Sequence, residues 1–122
     1  MMDVAMHLSH SVAPETLAAG GEERLIQSYL DALHKCRSEA TADVTPYPLE
    51  MAHKHYKLAV LDYARFVISR FWSTSTSPES FAAKASTPNT TMVNRNVEAA
   101  FRFIERVDRY LSEFEQERAD CK

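Results

Sequence analysis

Residues 53–72, HKHYKLAVLDYARFVISRFW, limit the fold more than any other part of the chain. Their small and apolar side chains recur at the spacing of one helical face, a stripe made of Tyr56, Ala59, Val60, Tyr63, Ala64, Val67 and Phe71. A second apolar surface is made of Leu58, Leu61, Phe66, Ile68 and Trp72. A helix that is apolar on two sides is typical of a core element. We therefore expect this helix at the centre of the fold, packed on more than one side.

Two charged residues interrupt this apolar helix. Asp62 and Arg65 lie three residues apart, so they share one helical face and can pair with each other. Burying either charge alone would be costly, whereas a pair can be accommodated. We expect Asp62 and Arg65 to form a buried ion pair, and the same position makes them candidates for a functional site.

The rest of the sequence also has helical spacing, and no segment alternates as a strand would. Helices are predicted at about 3–12, 22–37, 48–72, 78–85 and 94–118. Ser77 is the predicted N-cap of the short fourth helix, and Asn94 that of the last one. The predicted fold class is all-α, with four main helices and one short helix in a single domain over residues 1–122. A loop is predicted at 86–93, before the last helix.

The last helix has a stripe that resembles a coiled-coil seam: Val97, Ala100, Phe101, Ile104, Val107, Leu111 and Phe114. The stripe covers little more than two heptads, and we favour docking onto the other helices over a coiled coil. The charged residues of this helix, Arg106 among them, are predicted to form a solvated face of mixed sign. Arg65→Ala is therefore expected to destabilise the protein more than Arg102→Ala, because Arg102 is placed on that solvated face.

Composition excludes some function classes and disfavours others. The 122 residues are 45% hydrophobic with a formal net charge of -3, so we expect no nucleic-acid partner. The N-terminal residues do not resemble a signal peptide, and no apolar run is long enough to span a bilayer. We expect a soluble cytoplasmic protein without a membrane partner. Cys36 and Cys121 lack the spacing of a disulfide framework or a CxxC site and are predicted to be free thiols.

The sequence has few of the residues that catalysis needs. The histidine pairs His7/His10 and His53/His55 do not supply enough ligands at a suitable spacing, so we expect no metal site. The two glycines are adjacent, at positions 20 and 21, and cannot form a Walker loop or a GxGxxG clamp. No nucleophile with its base is evident. We expect no catalytic residue and no bound cofactor in this chain.

Four segments together resemble the end of an aminoglycoside-phosphotransferase-like or choline-kinase-like protein. They are DVAMHLSHSV, EERLIQSYLDALHK, YKLAVLDYARFVISRFW and VNRNVEAAFRFIERVDRYL, and they cover nearly the whole chain. The resemblance implies a kinase-like fold in which a His-x-Asp loop, its downstream Asn and a metal-binding Asp precede a helical C-terminal region. Those catalytic motifs are absent from this sequence. The chain thus corresponds to the helical part that follows them.

The resemblance also implies roles for particular residues. Asp3, in Asp3-Val4-Ala5, matches the Asp-x-Ala element that opens the first large helix of this region, where the Asp braces the catalytic loop. Asp62, Tyr63 and Arg65 become candidates for the wall of the pocket that holds the phosphate acceptor, a small molecule with a hydroxyl group. For Asp62 and Arg65, mutual pairing is the favoured alternative; for Tyr63, it is packing in the core.

Two functions follow as expectations. In the first, the chain is the C-terminal part of a small-molecule kinase that uses ATP and Mg²⁺ and is inactive alone, because the usual carriers of phosphoryl transfer are missing. In the second, it is a non-enzymatic helical interaction module, whose apolar surface is covered by a partner chain or by self-association.

Overall fold

Helices make up the fold throughout the described part of the chain. The computed structural model describes residues 1–41, 44–73, 76–87 and 91–121, and these contain no strand. The helices are α1 Met2–Ser11, α2 Pro14–Leu17, α3 Gly21–Ala40, α4 Leu49–Phe66, α5 Pro78–Lys84, α6 Met92–Arg95 and α7 Val97–Asp120, with a π-helical segment at Val67–Phe71. The all-α prediction is confirmed. The main helices are α1, α3, α4 and α7, and the predicted short helix is α5. Two single-turn helices, α2 and α6, were not predicted.

The start of α5 agrees with its prediction. Ser77 is the N-cap residue, and its Oγ accepts a hydrogen bond from the backbone N–H of Ser80 at 3.2 Å. Pro78 occupies the first helical position, where its missing N–H costs nothing. Side-chain capping and the fixed backbone angle of proline therefore both define this end of the helix.

The start of α7 differs from its prediction. Asn94 is not the cap; it is buried within α6, where its Oδ1 accepts a hydrogen bond from Trp72 Nε1 at 3.0 Å. Asn96 is the cap, and its Oδ1 accepts from the backbone N–H of Ala99 at 3.0 Å. The predicted loop at 86–93 is also corrected, because α6 begins within it; residues 88–90 lie outside the described part of the chain.

Helix α4 occupies the centre of the core, as predicted. Six residues of its first stripe are buried and the seventh, Phe71, is partly buried; the buried six are Tyr56, Ala59, Val60, Tyr63, Ala64 and Val67. The second apolar surface is only partly covered. Leu58, Phe66 and Ile68 are about half exposed, whereas Leu61 and Trp72 are partly buried, so the expected packing of this second surface is met only in part.

Helices α4 and α7 run antiparallel, and two ion pairs fix their register. Lys54 Nζ lies 2.8 Å from Glu117 Oε2, and Lys57 Nζ lies 2.6 Å from Glu113 Oε2. Positions that increase along α4 therefore face positions that decrease along α7. At the other end of this contact, Trp72 packs edge-on against Phe103, with ring centroids 6.2 Å apart.

Helix α7 turns a different face to the core from the one predicted. Its buried residues are Ala99, Ala100, Phe103, Arg106 and Tyr110. Most of the predicted stripe is exposed, including Val97, Phe101, Ile104 and Leu111. The prediction that this stripe docks onto the other helices is therefore wrong. Of its seven residues only Ala100 is buried, and Val107 and Phe114 are partly buried.

A π-helical segment continues α4 beyond Phe66. The backbone N–H of Trp72 donates to the carbonyl oxygen of Val67 at 3.0 Å, a bond that spans five residues. Such a turn contains one residue more than an α-helical turn and often marks an inserted bulge.

Candidate functional site

Charged and hydroxyl-bearing side chains meet inside the protein between α1, α3, α4 and α7. We call this group the Glu22 cluster; it consists of Ser9, Glu22, Tyr56, Arg106 and Tyr110. Glu22 is only 3% exposed and Arg106 only 8% exposed. Buried carboxylates and guanidinium groups are rare in proteins and need partners when they occur.

Glu22 is the acceptor at the centre of the cluster. Its Oε1 accepts from Tyr56 Oη at 2.5 Å and from Arg106 Nη1 at 2.7 Å, while Oε2 accepts from Tyr110 Oη. Arg106 also donates from Nη2 to Ser9 Oγ at 2.7 Å. The carboxylate is thus balanced by one buried guanidinium and two hydroxyl donors. Glu22 thus connects α3 with α4 and α7, and the bond from Arg106 to Ser9 adds α1 to the same network.

Two glycines bring Glu22 into this position. Gly20 has φ +77°, a left-handed conformation that an L side chain rarely adopts, and it directs the chain into α3. A Cβ on Gly21 would lie 1.8 Å from the carbonyl oxygen of Thr16, so α2 and α3 can approach this closely only with glycine there. Glu22 follows directly and lies in the first turn of α3, where the helix dipole favours a negative charge.

The electrostatics of the cluster favour structural support over catalysis. Burial raises the pKa of both Tyr56 and Tyr110, and the neighbouring Glu22 carboxylate raises it further. Both hydroxyls therefore stay protonated and act as donors. Ser9 accepts from Arg106, and no described base lies beside it, because the adjacent His10 shares a hydrogen bond with Tyr63. Arg106 Nε is buried and has no hydrogen-bond partner among the described residues.

A cleft of about 280 Å³ adjoins the cluster. Its charged lining residues are Glu22, Arg102, Glu105, Arg106 and Arg109. Each carboxylate already has an arginine partner, since Glu22 bonds to Arg106 and Glu105 lies 3.2 Å from Arg102. Arg109 approaches Glu22 only to 3.7 Å. The cleft combines apolar walls with charges that are already paired.

The predicted pair of Asp62 and Arg65 forms, but it is not buried. Arg65 Nη1 lies 3.3 Å from Asp62 Oδ1, and the two side chains are 84% and 58% exposed, respectively. Both residues project from the side of α4 opposite its buried stripe, so solvent and not the core surrounds them. The expectation of a buried pair is therefore wrong. Both do line a shallow depression with Ile68 and Leu111, so their role in an acceptor pocket stays a prediction.

Tyr63 and Asp3 occupy different environments. Tyr63 is buried, burial raises its pKa to about 12, and its ring packs edge-on against Phe103 at 5.9 Å between centroids. It therefore belongs to the core. Asp3 lies exposed in the first turn of α1 and forms no hydrogen bond with the described residues. Its carboxylate is accessible to another element, and its bracing role stays a prediction.

The histidines do not come together. His10 shares a hydrogen bond with Tyr63, whereas His55, which is exposed on α4, shares one with Tyr47. Within residues 1–41, 44–73, 76–87 and 91–121, no three His, Cys, Asp or Glu side chains are placed to hold a metal ion. Cys36 and Cys121 are free and exposed.

Apolar surface remains open along the outer face of α7, in one depression beside α4 and another beside Trp72 and Phe81. We call this surface the α4–α7 groove. Its large, about half-exposed side chains are Ile68 and Leu111 in the first depression and Val97, Phe101 and Ile104 in the second. Ala64 and Val107 lie at its floor, and Asp62 and Arg65 form part of its rim. Exposed apolar surface of this kind marks a binding site more often than an inert surface.

Comparison of the chain with protein-family models, with curated proteins and with solved structures gives no match. The kinase-like resemblance therefore remains a prediction from the sequence. Among the helices formed by the described residues, none is both long enough and apolar enough to cross a bilayer.

Sequence reasoning missed the Glu22 cluster. It predicted a solvated face for Arg106 and gave Glu22 no role beyond the first position of the predicted helix at 22–37. One signal was available in the spacing of α7, where Ala99, Phe103, Arg106 and Tyr110 fall on one helical face. An arginine in line with an aromatic and a small residue could have indicated a buried charge that needs a carboxylate.

Proposed function

We propose that this chain is a non-enzymatic helical interaction domain whose binding surface is the α4–α7 groove. One observation supports the proposal above all others. Five large apolar side chains remain about half exposed in two depressions along α7, although the chain has a separate core of its own. Monomeric proteins rarely expose a patch of this kind without using it.

The interior of the domain is consistent with this role. The Glu22 cluster joins α1, α3, α4 and α7 through hydrogen bonds, which holds α4 and α7 in a fixed relation. A preformed groove between rigid helices loses little conformational entropy on binding. The buried polar groups act on the shape of the groove and take no part in chemistry.

Site-specific photo-crosslinking in cells tests this proposal. A photoreactive amino acid at Ile104, in the groove, should give a discrete crosslinked product. The same amino acid at Gln116, on the charged side of α7, is the matched control and should give none. Both positions are exposed, so neither replacement should disturb the core. Absence of a crosslink at Ile104, or equal yields at both positions, would refute the groove as an interaction surface.

A kinase-like parent is the second candidate, and the position of Asp3 favours it. An exposed carboxylate in the first turn of α1 is available to brace a loop that precedes the helix, as the resemblance requires. In that case the remainder of a kinase-like fold would contact this helical part. The chain alone should show no phosphate transfer with ATP and Mg²⁺.

Two measurements test the parent activity. Sequencing the native transcript through the codon for Met1 should reveal, in frame upstream, a His-x-Asp loop with its Asn and a metal-binding Asp. A stop codon directly upstream would remove the kinase-like parent. Clear nucleotide-dependent turnover by the purified chain would overturn the expectation that it is inactive alone.

A further inference from the structure

The geometry points to a second binding site in this chain: the cleft between α1, α2 and α7 takes a small carboxylic acid with an apolar body. The cleft and the α4–α7 groove lie on different faces of α7. Arg102, Arg106 and Arg109 line the cleft, whereas Ile104 and Leu111 line the groove. The site is therefore independent of the proposed function of the groove.

Two guanidinium groups that line the cleft share one buried carboxylate. Arg106 Nη1 lies 2.7 Å from Glu22 Oε1, and Arg109 Nη2 lies 3.7 Å from Glu22 Oε2. The second distance is longer than a hydrogen bond, so Arg109 lies near the carboxylate without bonding to it. The Glu22 side chain is only 4% exposed. These three groups sum to one positive charge in a place that water hardly reaches.

The other carboxylates near the cleft do not balance this charge. Glu98 and Glu105 both bond to Arg102, and Glu113 lies 2.6 Å from Lys57 Nζ. Glu98 and Glu105 are also about two-thirds exposed, so solvent and salt screen their charges. An anion that enters the cleft would supply the missing negative charge.

Arg106 gives a second and separate indication of a ligand. Its side chain is only 9% exposed, and its Nε is the one buried side-chain nitrogen among the described residues that has no hydrogen-bond partner. Its two terminal nitrogens already donate to Glu22 and Ser9. Native structures rarely leave a buried donor of a charged group unpaired, because the loss is large. An acceptor oxygen brought into the cleft that Arg106 lines would satisfy this donor.

The remainder of the cleft is apolar and small. Its apolar lining includes Leu8, Val12, Leu17, Met92 and Phe103. Its volume of about 280 Å³ lies at the lower end for ligand pockets, which measure about 300–1,000 Å³. The body of the ligand is therefore a short aliphatic chain or a single ring.

A carboxylate suits this charge better than a phosphate group does. A planar carboxylate accepts two parallel hydrogen bonds from one guanidinium group, such as that of Arg109. It adds one negative charge, which equals the surplus around Glu22. A phosphate dianion would add two and would lie close to the carboxylates of Glu22 and Glu105.

Isothermal titration calorimetry of the full chain with octanoate tests this site. One octanoate should bind per chain, and 1-octanol, which has the same chain without the charge, should bind at least about tenfold more weakly. Arg109→Gln should weaken octanoate binding by a similar factor, and the fold should persist because this side chain is 56% exposed. Arg118→Gln, which removes an exposed charge elsewhere on α7, is the matched control and should bind octanoate as the wild type does.

Two-dimensional NMR locates the ligand. Octanoate should shift the amide signals of Leu17 and Arg109 more than those of Ile104 and Leu111, whereas the opposite order would place it in the groove and overturn the cleft as its site. No saturable binding at about 1 mM octanoate would also overturn the inference. Equal affinities for octanoate and 1-octanol, or equal octanoate affinities for Arg109→Gln and the wild type, would show that the guanidinium group does not recognise the carboxylate.

Discussion

Glu22→Ala should be among the most destabilising single substitutions in this protein. The carboxylate accepts hydrogen bonds from Arg106, Tyr56 and Tyr110, and it is almost fully buried. Its removal leaves the Arg106 guanidinium buried without its opposite charge. Breaking a buried ion pair in this way costs about 3–5 kcal/mol. Because small domains have a total stability of about 5–15 kcal/mol, the variant should lose about a fifth or more of its free energy of unfolding.

Urea denaturation followed by circular dichroism measures this loss. Glu23→Ala is the matched control, because Glu23 is exposed in the same helical turn and should change stability by no more than about 0.5 kcal/mol. Glu22→Gln keeps the volume and one acceptor oxygen but removes the charge, so its cost should fall between the two. Equal losses for Glu22→Ala and Glu23→Ala would refute the idea that the cluster stabilises the fold.

A double substitution tests whether the cost arises from the unpaired charge. Glu22→Leu combined with Arg106→Met replaces both charges by apolar groups of similar size. Such a replacement is often neutral, whereas removal of one partner is not. The double variant should therefore be more stable than the sum of the two single losses predicts. Strict additivity would show that the two side chains act independently.

Three further outcomes follow from the structure. Arg65→Ala and Arg102→Ala should each lower the melting temperature only slightly, because both side chains are exposed. Arg102→Ala should have the larger effect, because it loses contacts with two glutamates. A larger shift for Arg65→Ala would contradict this placement of the two side chains. Burial, and then the nearby His7, lower the pKa of His10 below its ordinary 6.5, so the unfolded chain binds a proton more readily than the folded one. The contribution of His10 to stability should therefore fall as the pH drops below about 6.5, and His10→Gln should flatten the dependence of unfolding free energy on pH between about 5 and 8; identical profiles would contradict this. Asn96→Ala should cost about 1 kcal/mol in chemical denaturation and Asn96→Asp much less, since aspartate keeps the cap; equal losses would exclude capping as the cause.

The position of α4 could be predicted because its buried face is built from apolar and small side chains. For such a face, the residues that the apolar periodicity predicts to be buried are the ones that the fold buries. The all-α class follows for the same reason, since no competing strand pattern exists. Asp62 and Arg65 show the limit of this reasoning. Their pairing follows from local spacing, but their exposure depends on which side of α4 the other helices cover.

The orientation of α7 could not be obtained from its apolar periodicity. This helix has two usable faces, and the more apolar one points outward. The inward face contains Arg106 and Tyr110, which become favourable there only because Glu22 arrives from α3, more than eighty positions earlier in the sequence. The residue pattern within one helix gives no information about a partner so far away in the sequence. The prediction of Asn94 as the N-cap failed for a similar reason, because Asn94 is drawn inward by its hydrogen bond with Trp72, which lies on another element.

The π-helical segment at the end of α4 determines where the following residues point. An uninterrupted α-helix would advance about 100° per residue and carry Trp72 toward the groove side of α4. The extra residue in the π turn delays this rotation by about one residue. The indole consequently reaches Phe103 and Asn94 in the interior. The number of residues in this turn, more than their identity, thus decides whether the tryptophan closes the core or adds to the exposed apolar surface.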